Sequence, residues 1–116
     1  MRATAINPGL VETELNRHVG RDAIRRFTED FNEKQKAAGR PLLLYKSVPQ
    51  GAATTVWAAA VAEAEAIGGR YCEDCHVAEL IDGGMETLAG VRDYAVDPER
   101  ARALWAKSEE LVGERF

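Results

Sequence analysis

From Ala52 to Ala62 the chain reads AATTVWAAAVA, small and apolar on nearly every side once wound into a helix. A segment of that kind holds as a helix only when neighbours cover it on more than one face. The preceding Ser47-Val48-Pro49-Gln50 has the spacing of a capping box. Ser47 is the N-cap, Gln50 reaches back to it, and Pro49 is tolerated in the first turn, where its missing N–H has no helical partner. The spacing predicts a helix from about Val48 to Ala66, packed closely against a sheet and ended by Gly68-Gly69. The sheet on offer is small. Arg2-Ala3-Thr4-Ala5-Ile6 reads as a strand closed by the turn cluster Asn7-Pro8-Gly9, and Arg70-Tyr71-Cys72-Glu73-Asp74 alternates weakly around a β-prone tyrosine. Two short strands do not bury such a helix on both sides, and an unpaired strand edge recruits partners. At 116 residues and 12.7 kDa there is enough chain for one modest core and not for a two-domain enzyme. Met1 stands directly on the first strand without a turn or cap, so the chain is expected to begin inside a fold.

The remaining elements follow from periodicity. Between Arg21 and Ala38, Ile24, Phe27 and Phe31 recur among charged residues, and Gly39 is placed to end the helix in a left-handed conformation. Leu42-Leu43-Leu44-Tyr45 is too short for periodicity to decide between an extended loop, a helical turn and a lid. From Cys75 to Val96 the pattern is broken by Gly83, Gly84 and Gly90 and reads as loop. Asp97-Pro98-Glu99 starts a last helix, whose face is marked by Ala101, Leu104, Trp105, Ser108, Leu111 and Val112 and whose end is Gly113. Trp57 and Trp105 are expected as core anchors.

Composition removes several function classes. Fifteen Lys and Arg against nineteen Asp and Glu leave a net charge of −4, without the basic footprint of a nucleic-acid binder. The Ala52–Ala62 run is about half of what crosses a bilayer, and the first residues lack the basic and apolar regions of a secretory leader, so the expected compartment is the cytoplasm. Cys72 and Cys75 stand too close together to be a disulfide framework.

Asn7-Pro8-Gly9-Leu10-Val11-Glu12-Thr13, directly after a strand, resembles the loop that follows the sixth strand of short-chain dehydrogenase/reductases. The rest of the chain follows in family order, with a helical insertion, then Val48-Pro49-Gln50-Gly51-Ala52-Ala53-Thr54, then Gly68-Gly69-Arg70-Tyr71. The closing Ala103 to Gly113 is similar to the C-terminal helix of the retinol-dehydrogenase and WW-domain-oxidoreductase-like branch. The resemblance implies the C-terminal part of a doubly wound, Rossmann-type parallel α/β sheet, incomplete by itself, with two short strands and three main helices. It divides one partial domain into a strand and cofactor loop (1–15), a substrate-lid insertion (16–47), a helix and last strand (48–74), and a loop with the C-terminal helix (75–116). It implies NAD or NADP as cofactor, with Pro8, Gly9, Val11 and Thr13 at its nicotinamide end. Backbone groups near Val11 would meet the carboxamide, and Thr13 the carboxamide or a phosphate. Ligands of such sheets lie outside the carboxyl ends of the strands, and a Pro-Gly turn lets the backbone come close. The plainer alternative is that Pro8-Gly9 only turns the chain while Thr13 caps a short helix. Phe27, Phe31, Leu42, Leu43 and Leu44 of the insertion suit an apolar pocket wall or ordinary packing.

The sequence departs from the family in two places that matter for chemistry. No glycine-rich turn sits between a strand and a helix, since Gly68-Gly69 and Gly83-Gly84 lack that setting. Nor is there a Tyr-x-x-x-Lys, because Tyr45, Tyr71 and Tyr94 are followed four places on by Pro49, Cys75 and Pro98. No catalytic residue is therefore assigned. The expected function is the C-terminal segment of an NAD(P)-dependent oxidoreductase acting on a small-molecule carbonyl or alcohol, inactive alone, which self-associates or pairs with a missing N-terminal half. An interaction module pairing through its sheet edge is the alternative. Cys72-Glu73-Asp74-Cys75-His76 also matches the Cys-x-x-Cys-His signature of haem attachment and offers three zinc ligands. With no leader and only His18 elsewhere, no metal is assigned. His18 and Arg21, Arg25 and Arg26 read as solvated side chains, and the Glu12/Glu14 and Glu63/Glu65 pairs, which point apart on a helix, are poor candidates for paired-carboxylate chemistry.

Overall fold

In the computed structural model, which describes residues 2–82 and 88–116, the capping box forms as the sequence dictates. Ser47 N donates to Gln50 Oε1 at 2.8 Å and Gln50 N donates to Ser47 Oγ at 3.4 Å. Helix α2 (Val48–Ala60) starts there and is the centre of the architecture. Before it come strand β1 (Ala5–Asn7), a 3-10 turn at Glu14–Asn16 and helix α1 (Arg21–Ala37). After it come the single-turn helix α3 (Ala64–Ile67), strands β2 (Tyr71–Glu73) and β3 (His76–Val77), a 3-10 turn at Asp93–Ala95, and helix α4 (Pro98–Val112).

The fold is α/β with a small mixed sheet of order β1-β2-β3. β1 and β2 are parallel with Asn7 opposite Glu73, and α2 crosses between them while packing on both, which makes one βαβ unit. Close approach of α2 depends on Gly51, since a Cβ there would lie 2.5 Å from Val11 Cγ2. One turn further on, Thr54, with 1% of its surface exposed, accepts a hydrogen bond from Cys75 N at 3.3 Å and so fastens the helix to the end of β2.

Five expectations need correction. The sheet has three strands, not two, because Asp74 and Cys75 both take positive φ (45° and 61°) and fold the chain back as a two-residue hairpin onto β3. The segment after Cys75 is accordingly not all loop: it also forms a parallel bridge between Leu80 and Val91 and the second 3-10 turn, while Gly83 and Gly84 lie outside the described residues. The helix expected through Ala66 ends at Ala60, and α3 starts only at Ala64. At about 1.5 Å per residue an unbroken helix would carry the chain well past the short strand to which it must return. Trp105 is 57% exposed and Trp57 is half-buried, so neither is a core anchor. The strands are also shifted and shortened from the expected Arg2–Ile6 and Arg70–Asp74. The ends of α1 and α4 are as expected, with Gly39 and Gly113 left-handed at φ +66° and +74°.

Burial is concentrated around the βαβ unit. Among the described residues the buried apolar side chains are Ile67, Cys72 and Ala78, whereas Val56 on α2 and Leu104, Leu111 and Val112 on α4 are exposed. The accessible surface is 9410 Å², against about 6,200 Å² for a folded monomer of this mass. The radius of gyration is 17.1 Å, against roughly 13 Å for a compact chain of this length. Among the described residues, the outer side of α2 and much of the apolar face of α4 thus remain exposed, with the Trp105 and Phe116 ring centroids 6.2 Å apart. No described helix is long and apolar enough to cross a membrane.

Candidate functional site

The carboxyl ends of β1 and β2 lie side by side, and the chain leaves β1 through a turn built by its own side chain. Asn7 Oδ1 accepts from Gly9 N at 2.9 Å, an Asx turn that Pro8 stiffens, and Gly9 takes φ +79°. The space that a Cβ on Gly9 would fill is taken by Lys46, whose Nζ and Cε would stand 2.7 and 2.9 Å from it. Lys46 N donates to Leu10 O at 2.8 Å, and Val11 and Lys46 form an isolated parallel bridge. The Lys46 ammonium pairs with Asp74 of the hairpin turn. The Pro-Gly loop, the residue before α2 and the end of β2 are thereby joined at one point.

Below this junction opens a cleft of about 740 Å³. Asn7, Gly9 and Leu10 form one side, and Lys46, Glu73 and Asp74 its polar end. The rest of the lining is mostly apolar, from Phe27 and Phe31 of α1, stacked with ring centroids 6.1 Å apart, and from Pro41 to Leu44, with Gln35 and Arg40 among them. That last segment has no regular secondary structure, which answers the ambiguity of its sequence. It is held to α1 by Asn32, which donates from Nδ2 to Leu43 O at 2.9 Å and accepts from Leu43 N at 2.7 Å. An amide side chain used in this way replaces a strand partner. Phe27, Leu42 and Leu44 remain exposed at the rim.

The four expected cofactor residues do not share one surface. Gly9 lines the cleft, beside the exposed Pro8 of the turn. Val11 packs on Gly51. Thr13 caps the first 3-10 turn by accepting from Leu15 N at 3.3 Å, and it borders a separate cleft of about 810 Å³ near Tyr45. Sequence reasoning did not single out Asn7, Lys46 or Glu73. An Asn before Pro-Gly is a readable Asx-turn signal. Glu73 was hidden in a weakly alternating strand; it is buried at 6% exposure and accepts from Gly90 N at 2.6 Å, anchoring the chain that returns from Val91. Nothing in the local pattern marks Lys46.

The Cys-x-x-Cys-His run is the β2-β3 hairpin. Cys72 pairs with Val77 and His76 with Glu73, so strand alternation puts Cys72 and His76 on opposite faces. Cys72 is fully buried with Sγ 3.5 Å from Thr4 Oγ1, whereas Cys75 is exposed on the turn. Among the described residues no three His, Cys, Asp or Glu side chains come together as a metal site.

No protein-family model and no solved structure matches the chain. Curated proteins do. The chain is 39% identical over 103 residues to a probable oxidoreductase of Streptomyces lividans, covering 89% of this chain and 34% of that protein. It is 34% identical over 113 residues to a short-chain dehydrogenase/reductase of Penicillium roqueforti, covering 97% of this chain and 31% of the relative. It is 43% identical over 71 residues to the human WW domain-containing oxidoreductase, covering 61% of this chain and 14% of that protein. The chain thus spans about a third of the length of the first two relatives. With the parallel βαβ unit, the Pro-Gly turn at its carboxyl end and these relatives together, the chain is similar, over most of its own length, to about a third of proteins named short-chain dehydrogenase/reductases and oxidoreductases, as a C-terminal fragment of one would be.

Proposed function

We propose that this chain is the C-terminal third of an NAD(P)-dependent oxidoreductase with a doubly wound sheet, supplying one wall of the nicotinamide site and the lid over a carbonyl or alcohol substrate. The observation that supports this most is the cleft at the carboxyl ends of two parallel strands, bounded by the Pro8-Gly9 turn on one side and by Phe27, Phe31 and the 41–44 segment on the other. The residues present fit one end of the cofactor only. Asn7, Gly9 and Leu10 offer a wall that would hold the nicotinamide end, and Val11 fixes that wall to α2. The Thr13 hydroxyl is already engaged as a cap, so its part in binding is to shape the loop and to offer its remaining donor. A bound nicotinamide would supply or accept the hydride. Phe31 and Leu43, both half-buried, would exclude water from the substrate side.

Moving the proton falls to residues outside this chain, which has no Tyr-x-x-x-Lys. Among the described residues β1 is an edge of the sheet and α2 and α4 carry exposed apolar side chains, so the partner is the remaining part of such an enzyme, on the same or another chain. Failing that, the chain self-associates. The expected setting is cytoplasmic.

The test is a graft. The chain replaces its counterpart in the Streptomyces lividans relative, and NADH and NADPH oxidation are followed with a panel of aldehydes and ketones. The chain alone is expected to be inactive and the folded graft to turn over. Activity of the chain alone, or a folded graft that binds no dinucleotide, would contradict the proposal.

A further inference from the structure

Lys46 occupies a position that neither the cap of α2 nor the sheet requires. Its backbone N–H is bonded to Leu10 O, its stem fills the space left by Gly9, and its ammonium meets Asp74 beyond the end of β2. Its side chain is 26% exposed, half the exposure of Asp74 at 58%, and it lines the cleft next to Gly9 and Glu73. Three segments far apart in sequence therefore share one side chain: the cofactor loop, the base of the lid and the hairpin turn. The sheet below has its own hydrogen bonds and does not need this contact.

We propose that Lys46 is a positioning residue, a clasp that with Asp74 holds the base of the lid against the Pro8-Gly9 turn and so sets the width of the cleft. The proposal rests on the reading of this cleft as the substrate side of an oxidoreductase, although the clasp itself is judged independently of that reading. Lys46→Met keeps the stem over Gly9 and removes only the charge, so it separates packing from pairing. Lys46→Asp places two carboxylates together and forces the clasp open, while the exchange Lys46→Asp with Asp74→Lys restores an opposite-charge pair across the same junction.

The experiment is amide hydrogen exchange by NMR on the full chain at low salt, for wild type, Lys46→Met, Lys46→Asp, Asp74→Lys and the double exchange. Protection of the Lys46 and Leu43 amides is expected to fall about two- to threefold in Lys46→Met and about five- to tenfold in either reversal, and to recover to within about threefold of wild type in the double exchange. Cys72 and Glu73, in β2, should change by less than about twofold. Equal loss in β2, or no recovery in the double exchange, overturns the clasp. Titration of 1-decanol into the same samples reads the cleft. Its apparent affinity is expected to drop about fivefold in Lys46→Asp and to return in the double exchange. If no form binds decanol while the exchange pattern is as expected, the clasp stands and the substrate-side reading fails.

Discussion

The βαβ unit and the helices around it obey different rules. Where α2 crosses from β1 to β2, specific contacts hold the unit: Gly51 admits Val11, Thr54 takes the Cys75 N–H, and at the end of β2 Glu73 takes the Gly90 N–H. In α4 the helix is equally well begun, with Asp97 accepting from Glu99 N at 2.8 Å, and equally well ended at Gly113. Yet Leu104, Trp105, Leu111 and Val112 along it are more than half exposed. Local signals suffice to start and stop a helix, whereas burial needs an opposing surface. The difference teaches that the chain packs specifically around its βαβ unit, while apolar side chains of α4 stay exposed among the described residues.

That comparison breaks if substitutions at the centre are tolerated, and it sharpens as their effects separate from those on α4. The largest effect is expected from Gly51→Val, which forces a side chain into Val11 and should lower stability by about 2 to 3 kcal/mol in urea titrations followed by circular dichroism. Gly9→Ala comes next, at about 1 to 2 kcal/mol, since alanine is strained at φ +79° and meets the Lys46 stem. Because that stem is flexible, the loss should be smaller than at Gly51, where a packed valine blocks the way. Thr54→Val removes the acceptor for Cys75 N and should cost about 1 kcal/mol, with faster exchange of that amide as the specific sign. Cys75→Gly acts in the other direction. A two-residue hairpin with both φ positive favours glycine at its second position, and a gain of about 0.5 kcal/mol is expected as a raised urea midpoint. Trp105→Ala, on the bare face of α4, should change stability by less than about 0.5 kcal/mol in the isolated chain. A loss at Trp105 as large as that at Gly51 would show that α4 is packed after all.

Much of this was legible from residue chemistry. Ser47 with Gln50, Asp97 with Pro98, and the glycines at 39 and 113 specify helix ends through contacts a few residues apart, and those ends are where the sequence places them. The hairpin was not legible, since an Asp-Cys turn carries none of the glycine that normally marks positive φ and the strands around it are two and three residues long. Nor was the break after Ala60, which is set by the distance to β2 rather than by any residue between Val61 and Glu63. For the site, the Pro8-Gly9 turn and the apolar side of the cleft at Phe27, Phe31 and Leu42 to Leu44 were readable as candidates. The contacts of Lys46 and Glu73 were not, because each joins segments at least seventeen residues apart and no local pattern encodes them.

Light scattering after size-exclusion chromatography, on a sample then titrated with NADH and NADPH under tryptophan fluorescence, tests the central claim most directly. An expanded or self-associating chain without saturable quenching by either dinucleotide is the result expected of one wall of a cofactor site. A compact monomer that binds either dinucleotide saturably would contradict it, and would mean that the site is complete within these 116 residues.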